Sequence, residues 1–181
     1  MTAIASFSNP ARVLAQFGLV AGKKVADFGA GSGFYTLAAA EALAGSGTVY
    51  AVDVQKDLLS RLLAEAKRRR IANVEVLWGN VEKAGGSKLR DGAVDAVIAA
   101  NILFQVEDKE GLVSEIKRVL KPGGEVLVVD WRESFGNMGP EPQAVVTAAA
   151  ARALFEKGGF VFDRDISAGE HHYGMVFRKV A

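Results

Sequence analysis

The sequence contains no cysteine and only two histidines, His171 and His172. Without a thiol there is no disulfide framework, thiolate zinc site, cysteine-ligated iron–sulfur cluster or cysteine nucleophile. Two adjacent histidines do not make a histidine-rich metal site; only a carboxylate site stays open for a metal, and none is assigned. A charge excess is lacking too. Lys and Arg total 22 against 21 acids, a net charge of +1, which favours neither a general nucleic-acid binder nor a membrane-surface protein. No apolar run reaches the length of a membrane-spanning helix, and residues 1–8 lack the basic start of a secretory signal. A cytoplasmic location is the expectation.

What remains is a chain of 181 residues, half of them hydrophobic, enough to bury the core of one domain over 1–181. Apolar periodicity and turn residues predict strands over 24–28, 48–54, 73–78, 93–100, 125–131, 160–166 and 173–179. Helices are predicted over 10–17, 34–43, 57–70 and 143–157, with another through Leu112, Ile116 and Leu120 that Pro122-Gly-Gly stops. Alternating strands and helices imply an α/β fold, a parallel sheet with helices on both faces. The last two strands have no helix between them and are expected to be antiparallel. Ligands of such sheets bind at the carboxyl ends of the strands, where Asp27, Asp53, Asn80, Asn101 and Asp130 fall.

The most informative stretch is Asp27-Phe-Gly-Ala-Gly-Ser-Gly33, between a strand and a helix. Its glycines stand at 29, 31 and 33, out of register for the dinucleotide pattern G-x-G-x-x-G, and Asp27 would repel a diphosphate. No Gly-Lys-Ser/Thr follows, which excludes a P-loop. An acid before closely spaced glycines suits a ligand with a cationic end. S-adenosyl-L-methionine (SAM) carries a sulfonium, an ammonium and a carboxylate; glycines admit a close approach, and turn amides can meet the carboxylate. Asp53, at the end of the second strand, suits a ribose diol.

With these motifs the chain resembles the class I SAM-dependent methyltransferases. Val25 to Thr36 is similar to their first motif and Tyr50-Ala-Val-Asp-Val54 to their second. Trp78-Gly-Asn-Val81, Asp95 to Ile102 and Leu120-Lys-Pro-Gly-Gly to Val129 are similar to the later ones. The resemblance implies a Rossmann-like three-layer sandwich whose seven-stranded sheet runs 3-2-1-4-5-7-6, with strand 7 antiparallel. It implies SAM as cofactor and S-adenosyl-L-homocysteine (SAH) as product. Asp27, Phe28, Gly29, Ala30, Gly31 and Gly33 are then expected around the methionine part, and Asp53 on the ribose. Val54, Asn80 and Val81 are expected beside the adenine, Asn80 where many members have an acid. Ala100 and Asn101 are expected to close the pocket near the methyl group. The wider pattern is similar to small bacterial and archaeal members of the quinone-biosynthesis and arsenite groups. The cysteines used in arsenite methylation are absent.

The acceptor side is read from strand ends. No Asn/Asp-Pro-Pro-Tyr/Phe follows the fourth strand, so the resemblance does not extend to amino-methylating DNA or glutamine enzymes. The fifth strand ends in Asp130, Trp131 and Arg132, and an antiparallel neighbour would begin with His171 and His172 on the same edge. Asp130, His171 and His172 are therefore the candidates for acceptor binding or proton removal, with Tyr35 and Phe104 completing a partly aromatic pocket. Cover is expected from residues 1–22, from the loop 133–142 or from the second subunit of a homodimer. The expected partner is a small molecule rather than nucleic acid or membrane. The basic run Lys67 to Arg70 is read as a solvated helix end. An RNA or protein methyltransferase and a non-catalytic SAM-binding protein are the alternatives.

Overall fold

The apolar runs that end in Asp27 and Asp53 are buried on both faces because each becomes an inner strand of one sheet. The computed structural model describes residues 8–136 and 138–180. In chain order these form α1 (Pro10–Phe17), β1 (Lys24–Phe28), α2 (Phe34–Ala42), β2 (Thr48–Asp53), α3 (Lys56–Arg68), β3 (Val74–Trp78) and β4 (Val94–Ala100). They continue with α4 (Lys109–Val119), β5 (Leu120–Trp131), α5 (Ala148–Lys157), β6 (Phe160–Ile166) and β7 (His172–Lys179). The sheet order is β3-β2-β1-β4-β5-β7-β6. β7 runs antiparallel to both its neighbours, and the other pairings are parallel. The expected fold class and strand order are both present.

The two faces carry separate cores. Leu112, Val113 and Ile116 of α4 and Phe155 of α5 pack against Val97, Val126, Val128 and Phe177. On the other face Val13, Leu14 and Phe17 of α1 and Ala39 and Leu43 of α2 meet Val25, Val49, Ile98 and Val129. Leu59 and Leu62 of α3 cover Ala51 on that same face. Each fully buried Leu or Phe contributes about 1.5–3 kcal/mol, so these two layers fix the strand ends that carry the polar groups.

α1 is short, but both its ends are closed. The Asn9 side chain accepts from Arg12 N–H, Pro10 opens the first turn, and the left-handed Gly18 donates its N–H to the Leu14 carbonyl. Gln16 exchanges two hydrogen bonds with the backbone of Ser167 at 2.9 and 3.1 Å. The helix is thus pinned to the sheet, with Ser8 beside the carboxyl end of β1. Met1 to Phe7 and Asn137, parts of the expected cover, lie outside the described residues.

Two boundaries differ from expectation. α5 begins at Ala148, not at 143, because Thr147 accepts from Ala150 N–H as its cap and Pro142–Ala144 forms a separate 3-10 turn. β5 begins at Leu120, which pairs with Val94; Lys121 to Gly124 then bulge out before pairing resumes at Glu125 with Ala96. The segment 79–92 holds turns and no helix. The basic run is exposed, and Arg68 and Arg69 fold back onto Glu65.

Candidate functional site

The three glycines at the carboxyl end of β1 all have left-handed backbones, with φ of 73° at Gly29, 53° at Gly31 and 87° at Gly33. Their surroundings differ. A Cβ on Gly29 would lie 2.6 Å from Ile102 Cδ1, and one on Gly33 2.6 Å from Leu62 Cγ. At Gly31 the nearest atom would be 4.0 Å away. Gly29 and Gly33 are therefore required by packing, and Gly31 holds space open in the cleft. Gly33→Ala is expected to lower stability by about 3 kcal/mol, from left-handed strain plus overpacking. Gly45→Ala, at φ 76° with nothing within 4 Å, should lower it by only about 1 kcal/mol. Equilibrium urea unfolding of the two variants tests the contrast.

The turn amides are largely committed inside the fold. Gly29 and Ala30 donate to the Val52 carbonyl, Gly33 to Ala30, and Gly31 to Asp53 Oδ2 at 2.9 Å. The expectation that these amides greet an anion therefore shifts to Ser32 and the open first turn of α2. Phe28 is a second correction. It is fully buried in the core on the α4 face, so its side chain does not line the cleft.

Asp53 is 8% exposed. Its Oδ1 accepts from Gln55 N–H and its Oδ2 from Gly31 N–H, both at 2.9 Å, and each oxygen retains a further lone pair. It lines a hollow of about 370 Å³ with Val54, Asn80, Val81, Ile102 and Val106. Asn80 Oδ1 accepts from Glu82 N–H at 2.9 Å, closing a local turn, so the amide N–H2 is its remaining donor. Val54 is steadied by the Trp78 indole N–H, which donates to its carbonyl at 3.0 Å.

Asp27 lines a neighbouring hollow of about 500 Å³ with Ala30, Phe34, Tyr35, Ala100 and Asn101. Gly29, Gly31 and Gln105 border both hollows. The Asp27 carboxylate is 2% exposed and accepts from the Thr36 hydroxyl at 2.6 Å. Burial pushes its pKa up to about 6, against the Thr36 hydrogen bond and with a smaller push from Asp53. Tyr35, expected near the acceptor, shares a 2.6 Å hydroxyl contact with Ser8 at the rim. Asn101 has φ 54° and a buried Oδ1 with no partner among the described residues.

The acceptor-side candidates Asp130, His171 and His172 are only partly brought together. Trp131 pairs with His172 in register, and their rings lie 4.3 Å apart. Side chains alternate along a strand, so Asp130 points to the opposite face, beside Tyr173. There it is 1% exposed and accepts from Leu103 and Trp131 amides at 2.8 Å. The Arg132 guanidinium reaches the His172 carbonyl at 3.2 Å. His172 is 3% exposed, with neither ring nitrogen partnered among the described residues. Burial first, then His171, lowers its pKa to about 4. His171 stacks on Phe135 at 3.8 Å and has Glu133 Oε1 3.2 Å from Nδ1. Gly139 lies against the Trp131 ring, so the loop after β5 covers this aromatic cluster. Phe104 is half-buried and lines neither hollow.

Sequence reasoning missed Ile102 and Gln105, which line the cleft from the turn after β4. Their place just beyond a strand's carboxyl end was the available signal. Among the described residues no cluster of His, Asp and Glu could hold a metal, and no helix is long and apolar enough to cross a membrane.

This sheet order, with a glycine turn between acids near the carboxyl ends of its first two strands, defines a class I SAM-dependent methyltransferase domain. Residues 19–166 match the family described as methyltransferase domain, and the chain belongs to it. A crystal structure of a SAM-dependent methyltransferase from Aquifex aeolicus superposes with a TM-score of 0.88 at 28% identity, covering 99% of this chain and 94% of that one. A demethylmenaquinone methyltransferase from a Geobacillus species is 36% identical over 109 residues, 60% of this chain and 45% of the relative. An arsenite methyltransferase from Aquipseudomonas alcaligenes is 33% identical over 116 residues, 62% of this chain and 34% of the relative. The aligned region thus spans half or less of these curated relatives.

Proposed function

We propose that the two hollows together bind SAM and that the protein transfers its methyl group to a small-molecule acceptor. The observation that carries this reading is one cleft with Asp53 at one end, Asp27 at the other and the open Gly31 between them. A ligand with a diol at one end and a cation at the other fits that donor set. Asp53 would accept from the ribose hydroxyls, and Val54, Asn80 and Val81 would flank the adenine. Asp27 would pair with the ammonium, and Ser32 with the first turn of α2 would meet the carboxylate. Ala100 and Asn101 would wall the methyl side.

SAM supplies, when bound, a methyl carbon already activated by its positive sulfur. The residues are then left to orient the nucleophile, exclude water and, for a protic acceptor, take a proton. We assign proton acceptance to His172, which burial keeps neutral and whose nitrogens have no partner among the described residues. His171, the neighbouring residue, has the Glu133 carboxylate at its own Nδ1. Ser8 and Pro10 cover the Asp27 hollow, and the loop after β5 covers Trp131. The acceptor is a small molecule.

Calorimetry with SAH tests the donor, and labelled SAM with a cell extract tests the reaction. Label is expected in the small-molecule fraction. His172→Gln should cut that transfer by about 100-fold while leaving SAH affinity within about twofold. Label confined to RNA or protein would reject the small acceptor, and full transfer by the variant would remove His172 as the base.

A further inference from the structure

Asp130 is a buried carboxylate to which the proposed reaction gives no task. Its position gives it one. Oδ2 accepts from Leu103 N–H at 2.8 Å and Oδ1 from its neighbour Trp131 at 2.8 Å. The amides of Ile102 and Phe104 face the same carboxylate. These amides open a single tight turn, closed by Gln105 and Val106 N–H donating to the Ile102 carbonyl at 2.9 and 3.2 Å. A carboxylate at the start of such a turn satisfies donors that no backbone carbonyl reaches.

That turn matters because of what hangs from it. Ile102 and Val106 line the Asp53 hollow, Asn101 lines the Asp27 hollow, and Gln105 lines both. Ile102 also fills the space that a Cβ on Gly29 would need, so it props the glycine turn from below. Gln105 Nε2 in turn donates to the Asn101 carbonyl at 2.6 Å, holding the left-handed Asn101 in place. Asn101 N–H is already used by the Val129 carbonyl at 2.7 Å. One side chain at the end of β5 thereby fixes the only segment, among the described residues, that touches both halves of the cleft beyond the glycine turn itself.

We propose that Asp130 is a positioning residue for the methyl donor: it preorganises the 101–106 turn and so sets donor affinity without lining the donor cleft. The inference rests on the SAM reading of that cleft. When the turn is loosened, only a fraction of molecules presents a complete cleft, and apparent affinity falls by that fraction. A residue that touches the donor would lose affinity mainly through faster release. A residue that preorganises the cleft loses it through slower capture.

The test is stopped-flow and calorimetric binding of SAH to wild type, Asp130→Asn and Asp130→Glu. Asparagine presents an amide N–H2 toward a cluster of N–H donors, and glutamate keeps the charge on a longer stem. Asp130→Asn should bind SAH about tenfold more weakly, with most of the change in the association rate, and Asp130→Glu should recover part of it. Melting temperatures without ligand separate global unfolding from this effect; if the asparagine variant fails to fold, the glutamate variant carries the same kinetic split. Wild-type affinity in Asp130→Asn, or a loss confined to dissociation, overturns the proposal. Failure of wild type itself to bind SAH removes the donor reading and this inference with it, whereas tight wild-type binding with an indifferent variant rejects only the role of Asp130.

Discussion

Asp53→Ala should weaken SAH binding by at least about 100-fold. The carboxylate would accept both hydroxyls of a ribose diol, and hydrogen bonds to a charged group are worth about 1.5–3 kcal/mol each. Two of them amount to at least about 3 kcal/mol, or two orders of magnitude in affinity. The same substitution frees the Gly31 and Gln55 amides now held at 2.9 Å, so the glycine turn and the start of α3 lose their common anchor. Asp53→Asn should fare little better, because an amide cannot accept from both backbone donors and both hydroxyls. Isothermal calorimetry with SAH decides the matter. An Asp53→Ala variant binding within about threefold of wild type would place the ribose elsewhere, since one neutral hydrogen bond alone is worth more than that.

The place of Asp53 was legible in the sequence because it follows from strand order alone. An acid ending the second strand of an alternating α/β pattern must lie beside the turn after the first, and it does. The same logic located Asp27 and Asn101 on one hollow and Asn80 on the neighbouring one, while Ala100 came only from the family resemblance. It failed where the answer depends on which face a side chain takes or which partner uses an amide. Asp130 and His172 stand at adjacent strand ends, yet the two-residue pleat sends them to opposite sides of the sheet. Phe28 sits inside the glycine motif, and the pleat likewise sends it into the core. The Gly29 and Ala30 amides looked free because their acceptor, the Val52 carbonyl, comes from a strand more than twenty residues away. The late start of α5 was hidden because Ala144, Val145 and Val146 continue the apolar pattern, and only the Thr147 hydroxyl marks the cap.

SAH affinity should fall as the pH drops below about 6, and Asp27 should be the cause. In the unliganded protein burial raises its pKa to about 6 from an ordinary value of 3.8. The Thr36 hydroxyl opposes that rise but does not cancel it. With the folded value above the unfolded one, the stabilising contribution of Asp27 is complete below about pH 4 and is lost as the pH rises through about 6. Ligand binding has the opposite sign. An ammonium beside the carboxylate favours its charged form, so binding below pH 6 must release a proton, and Kd should rise about tenfold per pH unit there. Above pH 7 the carboxylate is already charged and Kd should be flat. Asp27→Asn should bind about 30-fold more weakly than wild type at pH 8, the loss expected from one buried charge pair. The gap should narrow to about threefold by pH 5, where wild-type Asp27 is itself largely neutral. Asp130 also has its pKa raised to about 6 by burial, and its share of the pH dependence persists in Asp27→Asn, so the difference between the two profiles isolates Asp27. Calorimetry in buffers of different ionisation enthalpy counts the proton directly. A wild-type Kd that is constant from pH 5 to 8, with no proton released, would mean that no cation of the ligand meets Asp27.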